Sequence, residues 1–162
     1  MYLSLNTNMT NFEYINTLPN VPEEIITEAL SSINSPNYWL NKKSDSYQVF
    51  PGTEKLYNFI HSHLNEQYRV TVQVIKNTIP IHVDIGRSVV FNYIIDTGGD
   101  DIHTIFYSKN NEDYTIIESH NIKPFKWHRL NVATPHSVST ISPNNKRISL
   151  SVFMRDENNP FV

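Results

Sequence analysis

Five polar residues in the second half of the chain, His82, Asp84, His136, Arg147 and Ser149, have the types and spacings of a metal site with an anion clamp. His82 and Asp84 stand two apart in Ile79-Pro80-Ile81-His82-Val83-Asp84-Ile85, where they alternate with Ile81, Val83 and Ile85. Alternation of period two marks a strand, whose successive side chains point to opposite faces. It predicts an imidazole nitrogen and a carboxylate oxygen projecting side by side, two adjacent ligands for a divalent cation. His136, in Ala133-Thr134-Pro135-His136-Ser137-Val138, is placed to be the third. Two histidines and a carboxylate on one face of an octahedron leave three positions open, a donor set that suits Fe(II). The chain has no cysteine, so any metal site must use nitrogen and oxygen donors.

Arg147 and Ser149 alternate in the same way with Ile148, Leu150 and Val152. In both segments the aliphatic residues share one face and the titratable residues the other. If the aliphatic faces pack on helices, the polar faces point between two sheets. Histidine, aspartate and arginine buried there cost several kcal/mol unless they are paired or bound to something. A metal and an anionic ligand would offset that cost.

Together, His82-x-Asp84, His136 and Arg147-x-Ser149 resemble the motif set of the iron(II)- and 2-oxoglutarate-dependent oxygenases. The resemblance spans roughly the second half of the chain, from His82 to Phe153. It implies that His82, Asp84 and His136 bind Fe(II), and that Arg147 and Ser149 grip the distal carboxylate of 2-oxoglutarate. The cosubstrate would chelate iron through its C1 carboxylate and keto oxygen, with O2 at the last open position. The implied reaction is a hydroxylation or related oxidation of a substrate, with release of succinate and CO2. Halogenating relatives carry a small residue at the carboxylate position, so Asp84 favours hydroxylation. His-Val-Asp-Ile-Gly-Arg, then Asn-Tyr, Gly-Gly, Trp-x-x-Leu-Asn-Val and Pro-His-Ser-Val, is similar to small 2-oxoglutarate–Fe(II) oxygenases of phages and aquatic bacteria. A looser similarity is to aspartyl/asparaginyl hydroxylases.

Other residues are candidates of a second rank. Asn92 and Tyr93 lie on an expected strand, Val89–Ile95, and adjacent strand positions face opposite ways. At most one of them therefore lines a pocket and helps to bind 2-oxoglutarate; Tyr93 is equally suited to core packing. Arg87 could bind an acidic substrate group or be a solvated turn residue. His103, with Thr104 and Tyr107, lies on a strand that could line the pocket mouth, although an ordinary edge-strand histidine is the simpler expectation. Lys123-Pro124-Phe125-Lys126-Trp127-His128-Arg129 mixes basic and aromatic residues as a base-stacking surface would. The net charge of −3 makes an exposed strand the better account, and nucleic acid is not the expected partner. Trp127 and Arg129 share a strand face, so Trp127 either covers the pocket or fills the core, and Arg129 is a candidate substrate contact. His61 and His63, two apart on an expected helix, point to different faces and are not a metal pair.

The elements that must position these residues follow from the rest of the pattern. The 162 residues suit one domain with its own core, divided into a helical support region (1–66) and a jelly-roll core (67–153). A first helix is expected from an Asn20 cap to about Ile33, with Ile25, Ile26 and Leu30 buried. Asn34 to Phe50 reads as loop. A second helix starts at a Thr53 cap and carries Leu56, Ile60 and Leu64 as a stripe. Eight strand candidates follow: Tyr68–Ile75, Pro80–Ile85, Val89–Ile95, His103–Tyr107, Tyr114–Glu118, Lys126–Val132, His136–Ile141 and Arg147–Phe153. The expected fold is mainly β, a double-stranded β-helix (jelly roll) with two N-terminal helices packed on one sheet.

No apolar run approaches a membrane span, and the N-terminus lacks the basic start and apolar core of a signal peptide, so the expected setting is cytoplasmic. The expected partner is a small-molecule or amino-acid substrate. Two other readings compete: a non-catalytic jelly-roll binding module, and a cupin-like metalloenzyme that needs no cosubstrate. The binding module would be expected to have lost a ligand or the arginine, and a cosubstrate-free enzyme has no use for Arg147-x-Ser149.

Overall fold

A computed structural model describes residues 10–34, 46–65 and 67–154. In chain order the elements are β1 (Phe12–Tyr14), α1 (Glu23–Ser32), β2 (Tyr47–Pro51), α2 (Glu54–His61), β3 (Arg69–Ile75), β4 (Ile79–His82), β5 (Val89–Thr97), β6 (Thr104–Asn110), β7 (Asp113–His120), β8 (Trp127–Asn131), β9 (His136–Val138) and β10 (Arg147–Phe153). The strands form a six-stranded sheet, β1-β8-β5-β10-β3-β2, and a four-stranded sheet, β4-β9-β6-β7. Every strand pair is antiparallel.

Alternation along the large sheet divides its side chains between two layers. Val70, Val72 and Val74 of β3, Phe91 and Tyr93 of β5, Trp127 of β8, and Ile148, Leu150 and Val152 of β10 form one cluster with Ile25, Ala29, Leu56 and Ile60 of the helices. The other face carries Thr71 and Gln73, Asn92, His128, and Arg147, Ser149 and Ser151, and it looks toward the small sheet. Val90, Ile94 and Leu130 from that face pack with Phe106 of β6. The inter-sheet space is thus polar at its centre and apolar at its side.

Both helices form where expected, with one change of boundary and one of face. Thr53 caps α2, its hydroxyl accepting from the Leu56 amide at 3.4 Å. The residue capping α1 is Pro22 rather than Asn20, and it offers no side-chain cap. Its carbonyl accepts from the amides of Ile25 and Ile26 at 3.1 and 3.2 Å, and its ring fixes φ near the value a helix start needs. Ile25 and Ala29 are buried, whereas Leu30, expected inside, is 36% exposed.

Each of the eight expected strands is present, with shifted ends. The segment from 34 to 50, read as loop, contains β2 over its described part; residues 35–45 lie outside the described residues. The larger correction concerns the strand of His82 and Asp84. It ends at His82, after a register irregularity against β9. Asp84 sits in the following turn, tied by its amide to the Val132 carbonyl at 3.0 Å, and Gly86 takes a φ of 80° there. The alternating aliphatics Ile81, Val83 and Ile85 do not pack on helices but are 36, 47 and 72% exposed. Among the described residues no helix is long and apolar enough to cross a membrane.

Candidate metal centre

His82 and His136 meet because β4 and β9 pair with these two residues in direct register. Cross-strand partners on one face hold their side chains side by side, and here the two ring centroids are 4.3 Å apart. The turn after β4 brings Asp84 back to the same point. Its Oδ1 lies 3.3 Å from His82 Nε2 and 3.7 Å from His136 Nε2. One ligand atom from each of the three residues lies within 4.8 Å of the others. Donors at ~2.1 Å on adjacent octahedral positions stand ~3 Å apart, so the two Asp84 separations already approach that spacing and the three donors converge on a common point.

The two imidazoles are oriented for that role. His82 Nδ1 donates to the Pro80 carbonyl and His136 Nδ1 to the Thr134 carbonyl, each at 2.8 Å. A carbonyl only accepts, so Nδ1 carries the hydrogen and the neutral ring presents the Nε2 lone pair to the common centre. Burial pushes the His136 pKa down, keeping it neutral and ligand-ready. In its protonated form His82 would donate Nε2–H to Asp84, which pushes its pKa up, and a bound cation would take the place of that proton. Burial raises the Asp84 carboxyl, but hydrogen bonding to His82 and the charges of Arg87 and His136 outweigh it and hold the pKa below the usual carboxylate value.

Arg147 lies on the same inner face and is 3% exposed. Its Nε donates to the Thr97 carbonyl at 3.3 Å, Nη1 to Thr104 Oγ1 at 3.1 Å and Nη2 to the Ile102 carbonyl at 3.1 Å. Burial lowers its pKa to about 10, so it remains a cation at neutral pH. Among the described residues no carboxylate pairs with it. A buried guanidinium with neutral partners and N–H groups to spare is a seat for an anion. Thr104, which holds it, is two residues from Phe106, whose ring centroid is 6.0 Å from that of His136. Two residues of strand are about 7 Å, so clamp and triad are neighbours along β6.

The inner face of the large sheet also carries a polar row in register across three strands, Thr71 opposite Ser151 and Ser151 opposite Asn92. Thr71 Oγ1, Ser151 Oγ and Asn92 Oδ1 are all buried without a hydrogen-bond partner. Unsatisfied buried polar atoms in one row are destabilising unless a ligand or water completes them. The donor set fits a divalent metal, and the buried guanidinium without a carboxylate partner among the described residues fits an anion.

The remaining candidates divide by side of the sheet. Ser149 is buried on the inner face beside Arg147, and Asn92 is inward as well. Tyr93 and Trp127 take the core-packing alternative: their rings, 5.1 Å apart, lie in the helix-side cluster, and the Trp127 indole N–H donates to the Pro19 carbonyl at 2.8 Å. Arg129, on the Trp127 face, pairs with Glu13 at 2.9 Å and is not in the cleft. His103 is a surface residue bonded to Asp101 at 3.0 Å and Ser119 at 2.9 Å. Arg87 is turned to Asp84, its Nε 2.6 Å from Oδ2, and so is not free to meet a substrate anion. Thr71 and Ser151 were missed, although alternation from Arg147 and Ser149 already places Ser151 inward.

No sequence-family model matches the chain, and no curated protein matches it by sequence. Solved structures do. A prolyl hydroxylase from Trichoplax adhaerens, determined with a hypoxia inducible factor oxygen degradation domain peptide fragment, has a TM-score of 0.61 at 15% identity and covers 93% of this chain and 86% of its own. An oxidoreductase of the 2OG-Fe(II) oxygenase family from Burkholderia pseudomallei has 0.55 at 11%, covering 92% and 87%. The non-heme alpha ketoglutarate dependent epimerase SnoN from nogalamycin biosynthesis has 0.58 at 12%, covering 90% and 78%. At such identities the likeness is one of fold: nearly the whole described chain shares its two-sheet architecture with these three enzymes.

Proposed function

We propose that the chain is an Fe(II)- and 2-oxoglutarate-dependent oxygenase of double-stranded β-helix (jelly-roll) fold, hydroxylating a small metabolite or amino acid. The observation that carries this reading is the buried Arg147 guanidinium, without a carboxylate partner, a short step along β6 from two histidines and a carboxylate already facing one point. A cosubstrate-free metalloenzyme would leave that cation buried and uncompensated.

His82, Asp84 and His136 would hold Fe(II) through Nε2, Oδ1 and Nε2, and Arg147 with Ser149 would hold the distal carboxylate of 2-oxoglutarate. When bound, iron and 2-oxoglutarate supply the O2-dependent oxidising chemistry that releases succinate and CO2. The chain's own part is to fix the imidazole tautomers through the Pro80 and Thr134 carbonyls, keep Asp84 ionised, and shield the centre from water between the sheets. The buried row of Thr71, Ser151 and Asn92 supports a small polar molecule in that space. Arg87 and Arg129 give no support to an acidic substrate, because both are paired within the chain.

The test is O2-dependent succinate release from 2-oxoglutarate with Fe(II) present. The expected result is turnover in the wild type and none in Asp84→Ala or His136→Ala. Metal-dependent 2-oxoglutarate binding is the companion assay, since turnover without the prime substrate is slow. Absence of both would remove the oxygenase reading.

A further inference from the structure

We propose that Arg87 is a positioning residue for the metal, taking Asp84 Oδ2 so that Oδ1 alone faces the two histidines. This rests on the reading of His82, Asp84 and His136 as a metal centre. Arg87 Nε lies 2.6 Å from Oδ2, while Oδ1 is the oxygen nearest both imidazoles. The guanidinium is itself fixed from two further elements. Its Cζ stands 4.5 Å from the centroid of the Phe153 ring at the end of β10. The Tyr47 hydroxyl of β2 also faces the guanidinium closely enough to feel its charge. Both charged side chains are largely buried, at 11% and 18% exposure. Asp84 lies beyond β4, which ends at His82, and its amide bond to Val132 holds its backbone but not the direction of its carboxylate. The clamp fixes that direction.

Geometry and charge make opposite predictions here. As a bare charge beside a divalent ion, Arg87 repels the metal, and its removal should tighten binding. As the residue that aims Oδ1, its removal should loosen binding, and loss of such an orienting partner typically weakens metal affinity 10–100-fold. Lysine keeps the charge but not the planar fork.

Mn(II) is the probe, with free Mn(II) followed by its paramagnetic resonance signal, and the fold is checked by thermal melting without metal. Arg87→Gln should weaken Mn(II) binding ~10–100-fold, Arg87→Lys by less, and Tyr47→Phe at least about threefold. Binding in Arg87→Gln that is tighter, or unchanged within about twofold, overturns the inference. Should that variant fail to fold, Arg87→Lys decides: unchanged affinity overturns the inference and a loss supports it. Wild-type protein that takes up no Mn(II), or uptake that survives in His136→Ala, overturns the metal centre and this inference with it. Wild-type uptake with an indifferent Arg87→Gln overturns the inference alone.

Discussion

At the scale of single residues, the groups that matter most are those costly to bury and left without an internal counter-charge among the described residues. Arg147 is the sharpest case. Removing its charge in Arg147→Gln should weaken 2-oxoglutarate binding at least about thirtyfold, the equivalent of ~2 kcal/mol for charge-assisted hydrogen bonds. Mn(II) affinity measured without 2-oxoglutarate should stay within about threefold of wild type, because no ligand atom has moved. Ser149→Ala, which deletes one neutral hydrogen bond, should cost about 1 kcal/mol of the same binding. Calorimetric titration of both ligands checks all three. These residues were legible in the sequence because alternation fixes which side chains share a face, whatever the strand's ends. Arg87 was legible only as a cation near the site. Its pairing with Asp84 depends on a turn, and turn geometry has no period to read.

At the scale of elements, one turn keeps the clamp in place and one cap holds a helix on the far side of the sheet. The first is the Asp96-Thr97-Gly98 turn leaving β5, where the Gly98 amide donates to Asp96 Oδ1 at 2.9 Å. Gly98 has a φ of 79°, and a Cβ there would lie 3.0 Å from the Arg147 backbone nitrogen and 3.2 Å from Ile141. Gly98→Ala should therefore lower stability by roughly 1–3 kcal/mol and also weaken 2-oxoglutarate binding, since Arg147 must shift. Denaturant unfolding and the titration above would show both losses together. The second is the cap of α2, whose Thr53→Ala substitution should cost about 0.5–1 kcal/mol and leave ligand binding intact.

The strand pattern predicted these elements unevenly. The aliphatics of β10, Ile148, Leu150 and Val152, pack with the helices, so pattern and structure agree. For His82 and Asp84 the alternation put the two side chains together through the wrong element: the strand stops at His82, and the aliphatics around them face solvent. β2 was hidden because it follows a polar run and carries no clean alternation. With it went Tyr47, the residue that braces Arg87.

At the scale of the whole molecule, the inter-sheet space also holds a buried neutral histidine outside the metal centre. Burial lowers the His128 pKa to about 4. The unfolded chain takes up a proton near pH 6.5 that folded His128 refuses until about pH 4. Its contribution to stability is therefore present above pH 6.5 and lost as the pH falls toward 4, at up to about 1.4 kcal/mol per pH unit. His128→Leu should flatten the acid side of a stability–pH curve over that window, a difference measured by urea unfolding at several pH values. The raised pKa of His82 acts in the opposite sense, so the comparison must be between variant and wild type rather than with a flat baseline.

Filling the space should stabilise the fold as well. Any ligand that binds only the native state raises its melting temperature, and metal with 2-oxoglutarate should raise it more than either alone. The most direct measurement is a calorimetric titration of 2-oxoglutarate into Mn(II)-loaded protein without O2. The account predicts saturable one-to-one binding that disappears without metal, in His136→Ala and in Arg147→Gln. No heat of binding in the loaded wild type, or binding indifferent to metal and to Arg147, would contradict it.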